Sequence, residues 1–387
     1  MTIQQITGRI KSAAVFCTLG VFFVGCHSIS TGAGTMVYDY RKDKIINFTP
    51  SPALPGNYRE AIIHSSPKHS CFFTAQSVRE DYCKYTLIRK RDFTGKELSS
   101  YKVMCSVFPS FMCSVFPNSV RFAMSPDCDR IFIAGCYLSG GHRRISCWFD
   151  LPETSSEIEI HPRELPSVFN QDMALEASFF HSHYEFLSKD VLLVILKRKL
   201  RKTSSPWDQA VTSGAYLATI DLTSNECHAI KQLKRDKGDF VCIDEEIGIK
   251  VNENGLAAIL VDHQLSIYNH REKKLTEEVF IGKLDLESDF LERKLNFLWI
   301  SQDEICIWWH YDDSGHYVIY NLTTKNYRPG KLDAKIASWS APSVCAAGGE
   351  MVDLNANIKK LFSKFLASRF YEAFWLQEGL LGFTCDF

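Results

Sequence analysis

Polar turns that lead into apolar runs recur along most of the chain. Each turn has two to five polar residues, and the run behind it is rich in β-branched and aromatic side chains. This combination is typical of a hairpin turn that feeds a buried strand. Five segments have this first pattern: 66–75, 125–134, 187–194, 251–260 and 300–308. The pattern predicts a strand in each segment, entered through a hairpin turn.

A second pattern follows each of these segments. It is an alternating apolar strand that ends at a polar turn, usually at an Asp or Asn whose side chain can hydrogen-bond the backbone two residues further on. The copies are 85–96, 145–151, 216–225, 265–271 and 317–325. Together the two patterns predict five units, each a sheet of three or four strands.

Half of a unit lies near each end of the body. The run 36–47 has the second pattern without the first, and 337–347 has the first without the second. A ring closed by pairing the first strand with the last blade would explain both half-units, and closure removes exposed sheet edges. Five units and this composite predict about six blades, and seven are also allowed because residues 100–120 are unassigned.

The run 125–134, Ser-Pro-Asp-x-x-x-Ile-Phe-Ile-Ala, resembles the repeat of WD40-like and TolB-like β-propellers. In those repeats a Ser-Pro-Asp-Gly turn enters the second strand of a blade, whereas Cys128 stands at the Gly position here and no Trp-Asp pair closes a strand. The resemblance implies an all-β fold, a β-propeller over residues 36–350. A β-sandwich or two smaller β-domains remain open as alternatives.

The tail, residues 351–387, has a different pattern. Between 354 and 377 its apolar residues recur at helical spacing, with basic residues between them. This predicts a C-terminal amphipathic helix that packs on the body or lies on a membrane or a partner. The apolar positions are Ile358, Leu361, Phe362, Phe365, Leu366 and Phe370.

The first 25 residues have the parts of an export signal. Arg9 and Lys11 precede an apolar stretch of 14 residues, 12–25, which is shorter than the roughly 20 residues that span a bilayer. Residues 1–25 are therefore predicted to be a cleaved signal peptide rather than a membrane-spanning helix.

The end of this stretch, Val24-Gly25-Cys26, resembles the lipobox of bacterial lipoproteins, with Phe23 where that pattern prefers Leu. The resemblance implies that Cys26 is lipidated and becomes the new N-terminus, with residues 26–35 as a tether. The protein would then be anchored in the cell envelope, facing the periplasm or the exterior. An ordinary secretory signal and an uncleaved signal anchor are the alternatives.

The net charge and the positions of the cysteines indicate which ligands and which covalent bonds to expect. The chain has 387 residues and a net charge of -1, so it has no global attraction to nucleic acid, and none is expected as a partner. Of the 14 cysteines, most of those outside the leader lie in apolar strand-like runs. We expect them to be buried thiols rather than a disulfide framework, and no close-spaced pair points to a metal.

Two motifs carry candidate chemistry. His181 and His183 lie on one face of a predicted strand and could share a metal, but no further ligand can be placed, so ordinary histidines are expected. Trp308 and Trp309 enter a hairpin turn, where they could line a sugar or peptide site, although an inter-blade core is expected. No metal or cofactor is assigned.

Two further segments are unusual in composition. Residues 104–119 hold a tandem octapeptide that we expect to lengthen a loop, and 197–202 carry five positive charges, expected on a solvated hairpin.

Common enzyme signatures, such as the nucleophile elbow and the Walker loop, are absent from the sequence. The favoured function is a membrane-anchored, non-enzymatic propeller lipoprotein that binds a protein partner, with Cys26 as its lipidation site. One alternative is an exported hydrolase or lyase with its site in the propeller channel. The other is a sugar- or peptide-binding module around Trp308 and Trp309.

Overall fold

The architecture is known from a computed structural model. It describes residues 33–42, 44–50, 60–80, 83–103, 120–137, 143–153, 157–161, 163–164, 173–175, 184–199, 212–224, 226–235, 247–261, 263–281, 295–311, 314–332, 336–339, 344–347, 350–353, 358–361, 370–377 and 379–386.

Almost all of the described regular structure is β. The first ten strands are β1 Ala33–Asp39, β2 Lys44–Pro50, β3 Ala61–Ser66, β4 Cys71–Glu80, β5 Cys83–Asp92, β6 Glu97–Val103, β7 Val120–Met124, β8 Arg130–Tyr137, β9 Arg143–Asp150 and β10 Ile158–Ile160. The next ten are β11 Arg163–Glu164, β12 Met173–Leu175, β13 Tyr184–Phe186, β14 Val191–Lys199, β15 Thr212–Asp221, β16 Glu226–Arg235, β17 Ile247–Val251, β18 Leu256–Val261, β19 Gln264–Asn269 and β20 Lys274–Phe280. The last ten are β21 Asn296–Trp299, β22 Glu304–Tyr311, β23 Ser314–Asn321, β24 Tyr327–Leu332, β25 Ile336–Trp339, β26 Val344–Ala347, β27 Glu350–Asp353, β28 Ile358–Leu361, β29 Phe370–Gln377 and β30 Leu380–Asp386.

These strands form seven sheets, which we number as blades. Blades 1 to 6 follow one another along the chain: β3–β6, β7–β11, β12–β16, β17–β20, β21–β24 and β25–β28, except that β10 adds to blade 1 as a parallel outer strand. Blade 7 is composite, in the order β2-β1-β30-β29. A 3-10 turn, Pro67–His69, joins β3 to β4.

The blades form a ring around their innermost strands. The inner strand of each of blades 1 to 4 contacts that of the next blade, and β29 contacts both β25 and β3. Between blades 5 and 6, β25 contacts β22 and β23. The described residues therefore form a closed β-propeller, as the sequence predicted.

The ring is closed by strand pairing between the two ends of the chain. β1 runs antiparallel to β30, with Ala33 opposite Asp386 and Asp39 opposite Leu380. Met36 and Val37 of β1 are buried. The predicted closure of the ring through its first strand is confirmed, although the partner is β30 rather than a strand of 337–347.

Both repeating patterns are confirmed in blades 1 to 5. The first pattern enters β4, β8, β14, β18 and β22, and the second forms β5, β9, β15, β19 and β23. The predicted turn chemistry is also present, since the side chains of Asp221, Asn269 and Asn321 each accept a hydrogen bond from the backbone N–H two residues on.

Apolar cores lie between the faces of neighbouring blades. Phe73 and Ile88 of blade 1 pack with Ile131 and Phe149 of blade 2, all nearly inaccessible to solvent. Equivalent cores join blades 2 and 3, 3 and 4, 4 and 5, and 7 and 1. Burial of each such side chain contributes about 1.5–3 kcal/mol, which makes these interfaces the main source of stability.

The predicted C-terminal helix is wrong for the part of 354–377 that the structure describes. Residues 358–361 are β28 and residues 370–377 are β29. A short apolar run fits either periodicity, and the aromatic side chains of β29 suit a strand once β30 lies beside it. The closing partner also differs, because 337–347 contributes to a sheet of its own, blade 6. The described strands of the propeller thus run from Ala33 to Asp386, a wider span than the 36–350 expected from the sequence.

Five cysteines have described side chains, and all five are thiols: Cys71, Cys128, Cys147, Cys227 and Cys306. Four are buried and Cys227 is half-buried. For these residues the expectation of buried thiols is confirmed.

Substitution of Gly34 tests the closing blade. A Cβ on Gly34 would lie 2.4 Å from the Thr49 carbonyl oxygen and 3.0 Å from the Phe48 ring, so β1 and β2 would have to separate. We expect Gly34→Ala to lower the free energy of unfolding by about 1–3 kcal/mol in chemical denaturation. Lys44→Ala, an exposed change on β2, should stay within about 0.5 kcal/mol of wild type. Equal stability of Gly34→Ala and wild type would contradict this packing.

Candidate functional site

The ring of inner strands is the first place where ligand groups could converge. Among its described polar groups, Glu185 of β13 forms an ion pair with Lys250 of β17, Oε1 to Nζ 3.8 Å. The Lys250 carbonyl accepts a hydrogen bond of 2.8 Å from the Trp299 indole of β21. These contacts join the inner strands of blades 3, 4 and 5.

A similar link joins blades 1 and 7. The Ser65 hydroxyl of β3 donates a 2.6 Å hydrogen bond to the Trp375 carbonyl of β29. The backbone N–H of Ile62 donates to the Thr384 hydroxyl at 3.0 Å, and this bond is buried. These polar groups of the inner ring thus hold neighbouring blades together.

A buried carboxylate lies at the entry to β3. Glu60 is 1% exposed and pairs with the guanidinium groups of Arg89 and Arg91, each at 3.2 Å, while the Thr74 hydroxyl donates to it. Thr74 shares a strand face with Phe72, which packs against blade 7. Loss of either arginine would leave the buried Glu60 carboxylate with less compensation of its charge, which is destabilising. We therefore assign Glu60, Arg89 and Arg91 a structural role beside blade 7.

Arg130 makes the corresponding contact between blades 2 and 3. Its guanidinium donates to Asp150 at 2.7 Å, contacts Asp190 of the next blade, and lies 4.5 Å from the centre of the Trp148 ring. Arg163 lies near the same ring at 4.7 Å. The sequence patterns did not predict these charged networks, because their partners come from different blades.

Turn aspartates show the clearest electrostatic effect. At Asp221 the Ser224 backbone N–H donates a 2.9 Å hydrogen bond to the carboxylate and lowers its pKa, and Thr223 adds a second bond at 2.8 Å. Partial burial acts in the opposite direction. The position of this side chain in a turn indicates a role in chain reversal.

Several predicted sites fall outside the described residues. They are Cys26 with the leader, the octapeptide at 104–119, and His181 and His183. Of the basic run, only the backbone of 197–199 is described, as the end of β14.

Trp308 and Trp309 are both described, and both are buried. Trp308 packs within blade 5 and Trp309 lies in the core that blade 5 shares with blade 4. Trp309 also stacks on His316, with ring centres 5.7 Å apart. The expected inter-blade core position is confirmed for Trp309, and the burial of both indoles does not support the sugar- or peptide-binding module, which required them at a surface.

Within the ranges that the structure describes, no three His, Cys, Asp or Glu side chains are grouped so that they could hold a metal ion. The same ranges contain no helix of the length and hydropathy needed to cross a bilayer.

No protein-family model and no curated protein matches the chain. Solved structures with a similar fold include an oligogalacturonate lyase in complex with manganese, at 11% identity over 86% of this chain and 85% of that one, TM-score 0.48. TolB from Acinetobacter baumannii is 12% identical over 85% and 76%, TM-score 0.39. The Dos1 propeller is 14% identical over 82% and 71%, TM-score 0.38. At these values nothing about substrate, metal or partner transfers to this chain.

The pKa of Asp221 gives a testable pH dependence. Because its pKa is lower folded than unfolded, the charged form stabilises the fold above about pH 4, and this contribution is lost as pH falls through the folded value. Asp221→Asn keeps an acceptor oxygen but does not titrate. We expect urea unfolding to show a smaller loss of stability for Asp221→Asn than for wild type between about pH 5 and pH 2.

Asn321 provides the reciprocal control, since its side chain accepts the same turn bonds from Thr323 and Thr324. Asn321→Asp should steepen the acid-induced loss of stability. Parallel curves for all three proteins would show that the turn hydrogen bonds do not favour the charged carboxylate.

Proposed function

We propose that this chain is an exported lipoprotein, held on a membrane through a lipid on Cys26, whose β-propeller is a non-enzymatic scaffold for a protein partner. The observation that carries the scaffold role is the inter-blade use of polar groups around the ring. Glu185, Lys250, Trp299 and Ser65 all join neighbouring blades. Polar contacts between neighbouring blades make the ring a rigid framework. The loops between its strands are where binding residues are usually located in such a framework.

The short distance between Cys26 and the propeller adds to this proposal. Cys26 lies seven residues before Ala33, where β1 begins. Even fully extended, those seven residues reach at most about 25 Å. A lipid on Cys26 would therefore hold blade 7 close to the membrane surface.

The hydrolase or lyase alternative needs acid, base or metal-binding side chains that converge in the channel. Of the described residues, those carboxylates with a lowered pKa include turn residues such as Asp92 and Asp221 and surface ion-pair partners such as Glu277. Among the described residues no three His, Cys, Asp or Glu side chains are grouped as a metal site in the channel would require, so the scaffold role is the one we propose.

The anchor is tested by metabolic labelling with a palmitate analogue. We expect Cys26→Ser to lose both the label and recovery in the membrane fraction, because the acylated residue is gone. Cys17→Ser is the matched control, since Cys17 lies within the leader, residues 1–25, and should be removed with it. Label that persists in Cys26→Ser would contradict the anchor and leave the scaffold role to be judged separately.

The scaffold role is tested by photo-crosslinking in the intact envelope. A photoreactive residue is placed at exposed positions on three blades, Ile45, Leu98 and Tyr327, with buried Ile133 as the control. A bound partner should give a discrete adduct of higher mass at one or more exposed positions and none at Ile133. Absence of any adduct at all three exposed positions in folded protein would contradict the proposal.

A further inference from the structure

Two buried thiols meet at the interface between blades 1 and 2. Cys71 is the first residue of β4, and Cys128 lies in the hairpin turn that enters β8. Both belong to the apolar core that these blades share. Their side chains form a hydrogen bond with each other, so the two sulfur atoms lie close together across the interface.

The two turns are also joined directly. His69 lies 3.2 Å from the Pro126 carbonyl oxygen through Nε2, and Lys68 is 3.9 Å from the Asp127 carboxylate. These contacts place the hairpin turn of blade 2 against that of blade 1. The backbone of Cys128 has φ 57°, a left-handed conformation that favours glycine.

Polar side chains on β3 surround the Cys128 sulfur. His64 and Ser66 both hydrogen-bond to it, and His64 adds a favourable charge interaction. The bond from Cys71, together with those from His64 and Ser66, lowers the pKa of Cys128 against the opposing effect of burial. The same Cys71–Cys128 bond raises the pKa of Cys71. A cysteine whose anion is stabilised by neighbouring hydrogen bonds, next to a second buried cysteine, is the arrangement of an attacking and a resolving cysteine.

We propose that Cys128 and Cys71 are a redox pair in which a small hydroperoxide oxidises Cys128 and Cys71 then closes a disulfide between blades 1 and 2. Cys128 is 4% exposed and Cys71 is 0% exposed. This burial favours an oxidant of the size of hydrogen peroxide over a protein partner. The proposal does not depend on the anchor or the scaffold role.

Both steps balance. The Cys128 thiolate attacks the O–O bond of hydrogen peroxide, so that an S–O bond forms, the O–O bond breaks, and the leaving hydroxide takes up the proton that Cys128 had released, giving water. The Cys71 sulfur then attacks the Cys128 sulfur. An S–S bond forms, the S–O bond breaks, and the leaving hydroxide takes the Cys71 proton to give a second water. Two thiols lose two electrons and one peroxide is reduced.

Tryptic peptides make the test specific. Cleavage after Lys68 and Arg79 releases residues 69–79, and cleavage after Arg121 and Arg130 releases 122–130. Each peptide contains one cysteine, Cys71 or Cys128. The purified full-length protein is treated with limiting hydrogen peroxide, unfolded in an alkylating agent, digested and analysed by mass spectrometry.

In wild type we expect peptides 69–79 and 122–130 to be covalently joined, lighter than their sum by two hydrogen atoms, with the link lost on reduction. Cys71→Ser should trap the first step, so that dimedone labels the sulfenic acid on 122–130. Cys128→Ser should leave Cys71 as an alkylated thiol. Circular dichroism shows whether each variant is folded. The joined peptides expected from the wild-type protein test the disulfide even if a variant does not fold.

Cys227 is the internal control. It is half-buried, burial raises its pKa, and its peptide 203–231 contains no other cysteine. It should remain alkylated when the Cys71–Cys128 link has formed. Recovery of alkylated 69–79 and 122–130 from wild type at peroxide levels that oxidise Cys227 would overturn the proposal. So would oxidation of Cys71 in Cys128→Ser at the wild-type rate.

Discussion

The pairing of β1 with β30 is the interaction on which the rest of the structure depends. It brings together residues from opposite ends of the chain, and such long-range pairing is favourable only when the elements between the ends are already arranged in a ring. Buried polar contacts lie beside it, including the bond from Ile62 to Thr384 and the ion pairs of Glu60. With the ring closed, the apolar face of blade 1 is covered by blade 7.

Many of the charged and polar side chains described above make contacts between neighbouring blades rather than within one blade. Arg130 reaches Asp190 of the next blade, and Glu185 reaches Lys250. Directional bonds of this kind set the position of each blade relative to its neighbour, whereas apolar burial supplies most of the free energy without specifying geometry. The Cys71–Cys128 contact lies at one of these interfaces, so a bond between the two sulfurs would add a covalent link between two blades that otherwise meet through non-covalent contacts.

Local sequence was a good guide wherever the structure depends on neighbours along the chain. The turns before β4 and β8 and the Asp or Asn side chains at Asp221 and Asn321 act over two to five residues, so their chemistry can be recognised without the fold. The same holds for alternating strands such as β15 and β23, whose period is a property of the strand itself. The propeller as a class followed from counting these local units.

Contacts between blades determined the features that the local sequence did not predict. The segment 354–377 has apolar residues at helical spacing, yet residues 370–377 form a strand because β30 offers a paired edge and blade 1 an apolar surface. The two turns that hold Cys71 and Cys128 could be aligned as repeats, but nothing in either turn indicates that their sulfurs meet. By itself the sequence determined the turns, the strands and the need for a closed ring, because these follow from short-range backbone geometry and periodicity. The tertiary structure alone decided which strand closes the ring and which side chains face each other, since the packing of one blade on the next sets both.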